Sequence, residues 1–87
     1  MDHIIKTDGS VTPVTPNNPR KGYTLEEAQK IVGGYVEVVP VPGHPRRIFI
    51  VNEEGLVHGL PLNAVATAAA GRTLVGDVLE CDSRSFK

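Results

Sequence analysis

Hydrophobic and polar positions along this chain form a short alternating start, one helical stripe, two dense β-type runs and an alanine-rich stretch. The centre of the pattern is residues 24–51: TLEEAQKIVGG, then YVEVVPV, then a loop of proline, glycine and basic residues, then RIFIV. Leu25, Ala28, Ile31 and Val32 fall at i, i+3, i+6 and i+7, a single apolar stripe on a helix. Thr24 and Glu27 have the spacing of a capping box, and Tyr23 and Ala28 stand at the staple positions. Glu26 and Glu27 suit the positive start of the helix dipole, and Lys30 suits its negative end. Gly33-Gly34 stops the helix.

The strands follow from period-two patterning. In residues 35–41, Val36 and Val38 share one face, while Tyr35, Glu37 and Val39 share the other. Residues 43–47 (GHPRR) read as the hairpin loop. Ile48-Phe49-Ile50-Val51 is apolar on both faces, which predicts a central strand or one covered on both sides. Upstream, His3-Ile4-Ile5-Lys6 is a short strand. Asp8-Gly9 signals a type I′ turn, and Val11-Thr12 pairs back. Pro13 and Pro16 keep that return strand short and at an edge. Downstream, residues 52–55 form a turn and residues 56–59 extend the meander as a short strand. Asn63 caps a second helix over residues 64–70, whose small side chains suit close packing, and Gly71 ends it. Residues 73–81 form the last strand, bent or bulged at Gly76-Asp77. The order β-β-α-β-β-(β)-α-β predicts an α+β domain. Its sheet is mostly antiparallel, of about five short strands, with two helices on one face. One domain covers 1–87: an N-terminal hairpin 1–16, a core 24–81 and a polar, frayed tail 82–87 that holds Phe86.

Composition narrows the classes. The chain has 87 residues and is 40% hydrophobic, which rules out a disordered chain. Its apolar runs are only a few residues long, so no membrane span is expected. Nine basic and ten acidic residues give a net charge of −1, which argues against general nucleic-acid binding. No signal-peptide pattern follows Met1, and the single cysteine, Cys81, suits a reducing compartment, so a cytoplasmic location is expected. A domain this small benefits from oligomerisation, and a homo-oligomer is expected.

Three stretches, TLEEAQKIVGGYVEVV, IVNEEGLVHGLPLNAVAT and LVGDVLECDS, resemble domain-of-unknown-function family 3846, small proteins of bacteriophages, prophages and plasmids. The opening IIKTDGS is similar to N-termini in that group. The loop VPGHPRR departs from the plainer loop of the family. The family has no established catalytic residues, so the resemblance implies none here. It implies a setting: a small accessory protein made inside a bacterial host cell, where proteins of this size often bind and block host factors.

No catalytic, cofactor or metal motif emerges. His3, His44 and His58 lack metal-ligand spacing. Glu53-Glu54 are successive turn residues, which point apart into water. Cys81 reads as a small core residue rather than a reactive thiol. Gly33-Gly34 follows a helix, whereas a phosphate-binding loop leaves a strand and opens one. Two binding hints remain. His44, Arg46 and Arg47 share a loop, with Arg20-Lys21 as possible neighbours, and two arginines can grip a phosphate or carboxylate bidentately. Asn63 and Arg72 flank the second helix, whose start can attract an anion. The leading expectation is a non-enzymatic protein that binds and blocks a host protein, for example an anti-defence inhibitor. The alternative is a sponge that holds a nucleotide-type ligand at a subunit interface. An enzyme of unknown type comes last.

Overall fold

A computed structural model describes residues 2–86. The elements are β1 (Asp2–Ile5), β2 (Val11–Val14), α1 (Leu25–Val32), β3 (Val36–Val41), β4 (His44–Asn52), α2 (Ala64–Ala70) and β5 (Val78–Asp82), followed by one helical turn at Ser83–Ser85. All five strands join one antiparallel sheet in the order β2-β1-β5-β4-β3. The class is α+β, as the patterning predicts. The chain's last strand lies at the sheet's centre, between the N-terminal hairpin and the β3–β4 hairpin.

The helices lie on opposite faces, not on one. Ile48, Ile50, Leu79 and Cys81 pack with Tyr23, Ala28 and Val32 on the α1 side. Ile5, Val39, Val41, Phe49, Val51 and Val78 pack with Ala66, Ala70 and Leu74 on the α2 side. The physical reason is in β4 itself. Ile48, Phe49, Ile50 and Val51 are all buried, and successive strand residues point to opposite faces, so each face needs its own cover. Full burial of each such side chain contributes roughly 1.5–3 kcal/mol.

α1 starts as its sequence dictates. Thr24 Oγ1 accepts from the Glu27 amide at 3.1 Å, and Glu27 Oε1 accepts from the Thr24 amide at 2.9 Å. Glu27 Oε2 also accepts from the Asn17 amide at 2.9 Å, which ties the preceding loop to the helix. Ala28 and Val32 are buried, whereas Leu25 is exposed, so the stripe is narrower than its apolar spacing.

Several local expectations change. The 7–9 turn is not type I′, because no non-glycine residue among the described ones has positive φ. Lys6 instead donates to Ser10 O at 2.8 Å and Gly9 to Lys6 O at 3.0 Å, with Asp8 accepting from the Ser10 amide at 2.8 Å. The β3–β4 hairpin turns in two residues, Pro42 and Gly43, and β4 already begins at His44. Pro42 fixes its own φ, and Gly43 takes φ +78, a combination suited to a tight turn. Residues 56–59 are turns, not strand. The last strand starts at Val78, after the bend at Gly76. The tail is tied down through residue 86: the Tyr23 amide donates to Ser85 O at 2.6 Å, and Phe86 packs against the α1-side core.

Candidate functional site

The five residues singled out in the sequence do not form one site. β4 carries three extra residues, 45–47, opposite the Pro40–Val41 step of β3: Val41 pairs with His44 and Pro40 with Ile48. Such a bulge re-aims side chains. His44 and Arg47 line a groove of about 570 Å³ beside α2, with Val41, Pro42, Phe49, Ala69 and Glu80. Arg46 is exposed and is not among the residues lining the groove, so the two arginines do not converge as a fork. Arg47 is engaged within the protein. Its Nε donates to Glu80 Oε2 at 3.2 Å, and Nη1 lies 3.6 Å from Asp2 Oδ1. Asp2 in turn accepts from the Tyr23 hydroxyl at 2.8 Å. This chain of contacts joins β1, β4, β5 and the start of α1. Burial, and then the Asp2 contact, push the Tyr23 hydroxyl well above its ordinary pKa.

Asn63 is fully buried and hydrogen-bonded at both Nδ2 and Oδ1. Its Nδ2 donates to Ile5 O at 2.8 Å and to Gly76 O at 2.9 Å, and its Oδ1 accepts from the Ala66 amide at 3.1 Å. It caps α2 and stitches the end of β1 to the bend before β5, which engages both of its donors within the fold. Arg72 lies beyond the far end of α2, 3.6 Å from Glu37 Oε2, in an exposed pair worth little energetically. Arg20 lies elsewhere, in a cleft of about 400 Å³ with Asp82 and Arg84. Arg84 and its amide hold the Asp82 carboxyl down at about 2. Cys81 is wholly buried, and desolvation pushes its thiol up to about 12. Among the described residues, no three His, Cys, Asp or Glu gather as metal ligands. No helix there is long and apolar enough to cross a membrane.

The most outward-directed chemistry lies where the sequence suggests a strand. After β4, residues 53–59 fold into a compact tip. Asn52, itself buried, anchors it: Nδ2 donates to Val32 O at 3.1 Å, and Oδ1 accepts from the Glu54 amide at 2.8 Å. Backbone bonds close the turn, from Gly55 to Asn52 O at 3.2 Å, His58 to Glu54 O at 2.9 Å and Leu60 to Gly55 O at 2.9 Å. This ordered frame holds Leu56 and Val57 in water, 73% and 83% exposed. Tyr35, 67% exposed, lies at the base of the tip, where its carbonyl accepts from Glu53 at 2.8 Å. A cleft of about 610 Å³ runs beside it, lined by Gln29, Lys30, Gly34, Tyr35, Glu54 and His58.

Leu56 and Val57 are the most exposed of the large hydrophobic side chains among the described residues, and with Tyr35 they give the tip an apolar surface that a partner could cover. Period-two reading missed them because Leu56-Val57-His58 looks like a continuation of the meander. The available signal is the close spacing of Gly55, Gly59 and Pro61, which favours turns over a strand in the three residues between the glycines.

Neither the curated proteins nor the solved structures contain a match to this chain. A family profile described as Domain of unknown function (DUF3846) matches residues 1–85, nearly the whole chain. The chain therefore belongs to the DUF3846 family.

Proposed function

We propose that this protein is a non-enzymatic binding protein that occupies a partner stoichiometrically, and that the partner is a protein of the bacterial cell in which a phage or mobile element expresses it. The observation that carries the proposal is the ordered apolar tip. Leu56 and Val57 are presented by a turn whose flanking amides, at Glu53, Glu54, Gly55, His58, Gly59 and Leu60, are already bonded, so a partner burying them gains apolar area with little ordering of the loop. Tyr35 beside them adds an aromatic anchor of the kind that dominates protein interfaces. The nucleotide-sponge alternative draws less support, because Arg47 is tied to Glu80 and Asp2, Asn63 faces inward and Arg46 stands apart.

The test is capture from bacterial cells that express the full chain, followed by native mass spectrometry. The wild type is expected to retain one protein in fixed stoichiometry. The Leu56→Asp/Val57→Asp variant is expected to lose it, while Arg20→Ala keeps it. A wild type that emerges with no retained protein overturns the proposal, as does retention unaffected by the tip substitutions.

A further inference from the structure

We propose that the partner adds an extended segment of its own chain to the outer edge of β3, as a sixth strand of the sheet. This rests on the protein being a binding protein whose tip is covered. It goes beyond that reading by naming how the partner's backbone docks and which side chains it brings.

The register of β3 on β4 decides which backbone groups are free. The Glu53 amide donates to Tyr35 O at 2.8 Å, one step before the Val36–Asn52 pair. Bonded and non-bonded pairs alternate along an antiparallel ladder. Tyr35, Glu37 and Val39 therefore turn their backbone groups toward β4, and Val36, Val38 and Pro40 turn theirs outward. Pro40 agrees with this, because it has no amide to give to β4. β3 ends the sheet, and among the described residues no hydrogen bond reaches the outward groups of Val36 and Val38. The free edge offers the amides of Val36 and Val38 and the carbonyls of Val36, Val38 and Pro40. The opposite edge of the sheet is poorer. Lys6 donates to Ser10 O at 2.8 Å, so the same alternation turns Val11 and Pro13 out of β2, with the Val11 amide as the sole outward donor there.

Position and charge decide what occupies the edge. Both donors lie at the end of β3 that adjoins Tyr35 and the tip, so the edge continues the surface that carries Leu56 and Val57. Pro40 closes the far end of the ladder. Val38, 47% exposed, sets an apolar side chain beside the open groups. A second copy of this chain fits badly. Two β3 strands paired antiparallel about Glu37 would set that carboxylate against its own counterpart, and like charges directly opposite repel. Arg72, 3.6 Å away in an exposed pair, offsets this only weakly. Paired about Val38 instead, each Pro40 would face the other copy's Val36 position and bring no amide to it. A foreign strand meets neither limit. Its residues opposite Val36 and Val38 share their face of the sheet and are apolar. Its residue opposite Glu37 stands at a non-bonded position, where side chains come closest, and is basic. The occupant is therefore an extended segment that reads apolar, basic, apolar, held by strand addition.

The probe is the peptide acetyl-Val-Lys-Val-Lys-Val-amide, titrated to about 5 mM into the nitrogen-15-labelled full chain, with amide exchange read residue by residue. In the free protein the Val36 and Val38 amides should exchange fast, and those of Glu37 and Val39, bonded to β4, slowly. The peptide should shift Val36 and Val38 and slow their exchange at least about threefold. Acetyl-Val-Glu-Val-Glu-Val-amide should bind at least about threefold more weakly, and Glu37→Lys should reverse that order. Val38→Pro, which removes an outward amide and leaves the β4 ladder intact, should abolish binding without changing the circular dichroism spectrum. No shift at 5 mM, shifts confined to other residues, or no preference between the peptides overturns the proposal. Protection of Val36 and Val38 that grows with protein concentration alone assigns the edge to a second copy and also overturns it. A complex captured through the tip that leaves both amides open to solvent overturns the strand addition and keeps the proposed function. An edge that takes the peptide, on a chain whose tip captures nothing, overturns the proposed function instead.

Discussion

Replacing Asn63 with alanine should be among the most damaging single changes in this protein, although the residue contacts nothing outside the fold. The side chain makes three buried hydrogen bonds: two donated, to Ile5 O at 2.8 Å and Gly76 O at 2.9 Å, and one accepted from Ala66 at 3.1 Å. Losing the cap costs about 1 kcal/mol. Each buried carbonyl left without its donor costs about a further 1–1.5 kcal/mol. The sum is about 3–4 kcal/mol, a large fraction of the roughly 5–10 kcal/mol available to a small domain. At about 4–8 °C per kcal/mol for a domain of this length, the melting temperature should fall by roughly 12–30 °C. Asn63→Ser keeps an acceptor for Ala66 but no reach to both carbonyls, so it should fall between the two. Urea unfolding followed by circular dichroism measures all three, with the midpoint moving and the slope unchanged. An alanine variant within about 1 kcal/mol of the wild type would refute the structural role and free Asn63 for a ligand.

Three other outcomes follow from the same contacts. A methyl group on Gly22, which sits at φ +80, would run into the backbone of Ser85, so Gly22→Ala should cost about 2–4 kcal/mol and loosen the tail, and an unchanged melting temperature would contradict this. Cys81, buried and with its thiol pushed up to about 12, should resist Ellman's reagent in the native state and react fully in urea, so fast native labelling would be inconsistent with the core described. Amide bonds from Thr24 and Asn17 hold the Glu27 carboxyl below its ordinary 4.5, and Arg84 holds Asp82 at about 2 rather than 3.8. Both folded values are depressed, so the stability they add is complete above those ordinary values and is lost as pH falls toward about 2. The urea midpoint should therefore drop across that range, less so in Glu27→Ala, and a flat profile would contradict the assignment.

What the sequence conveys depends on how local the determining physics is. The capping box at Thr24 and Glu27, the glycine stop, the Asn63 cap and the bend at Gly76 all depend on neighbours within a few residues, and all appear as spacing rules indicate. The four-residue apolar run of β4 correctly signals cover on both faces. Its corollary, a helix on each side, requires knowing which face each helix reaches, and that is settled only when β5 inserts between β1 and β4. The site was less legible for the same reason. Arg46 and Arg47 look like one grip when read as a loop, but a bulged strand separates them and Arg47 is engaged by Asp2 and Glu80, far away in sequence. Asn63 looks available until Ile5 and Gly76 converge on it. Leu56 and Val57 look like half-buried strand residues until Asn52 folds the chain back on itself.

Backbone amide-nitrogen relaxation of the free protein tests the binding proposal most directly, because a preformed tip is its premise. Bonded through Gly55, His58 and Leu60 and anchored by Asn52, the tip should be as rigid as the sheet. Order parameters at Leu56 and Val57 should lie near about 0.85, and values below about 0.6 would show a loose loop that presents no surface and would contradict the proposal.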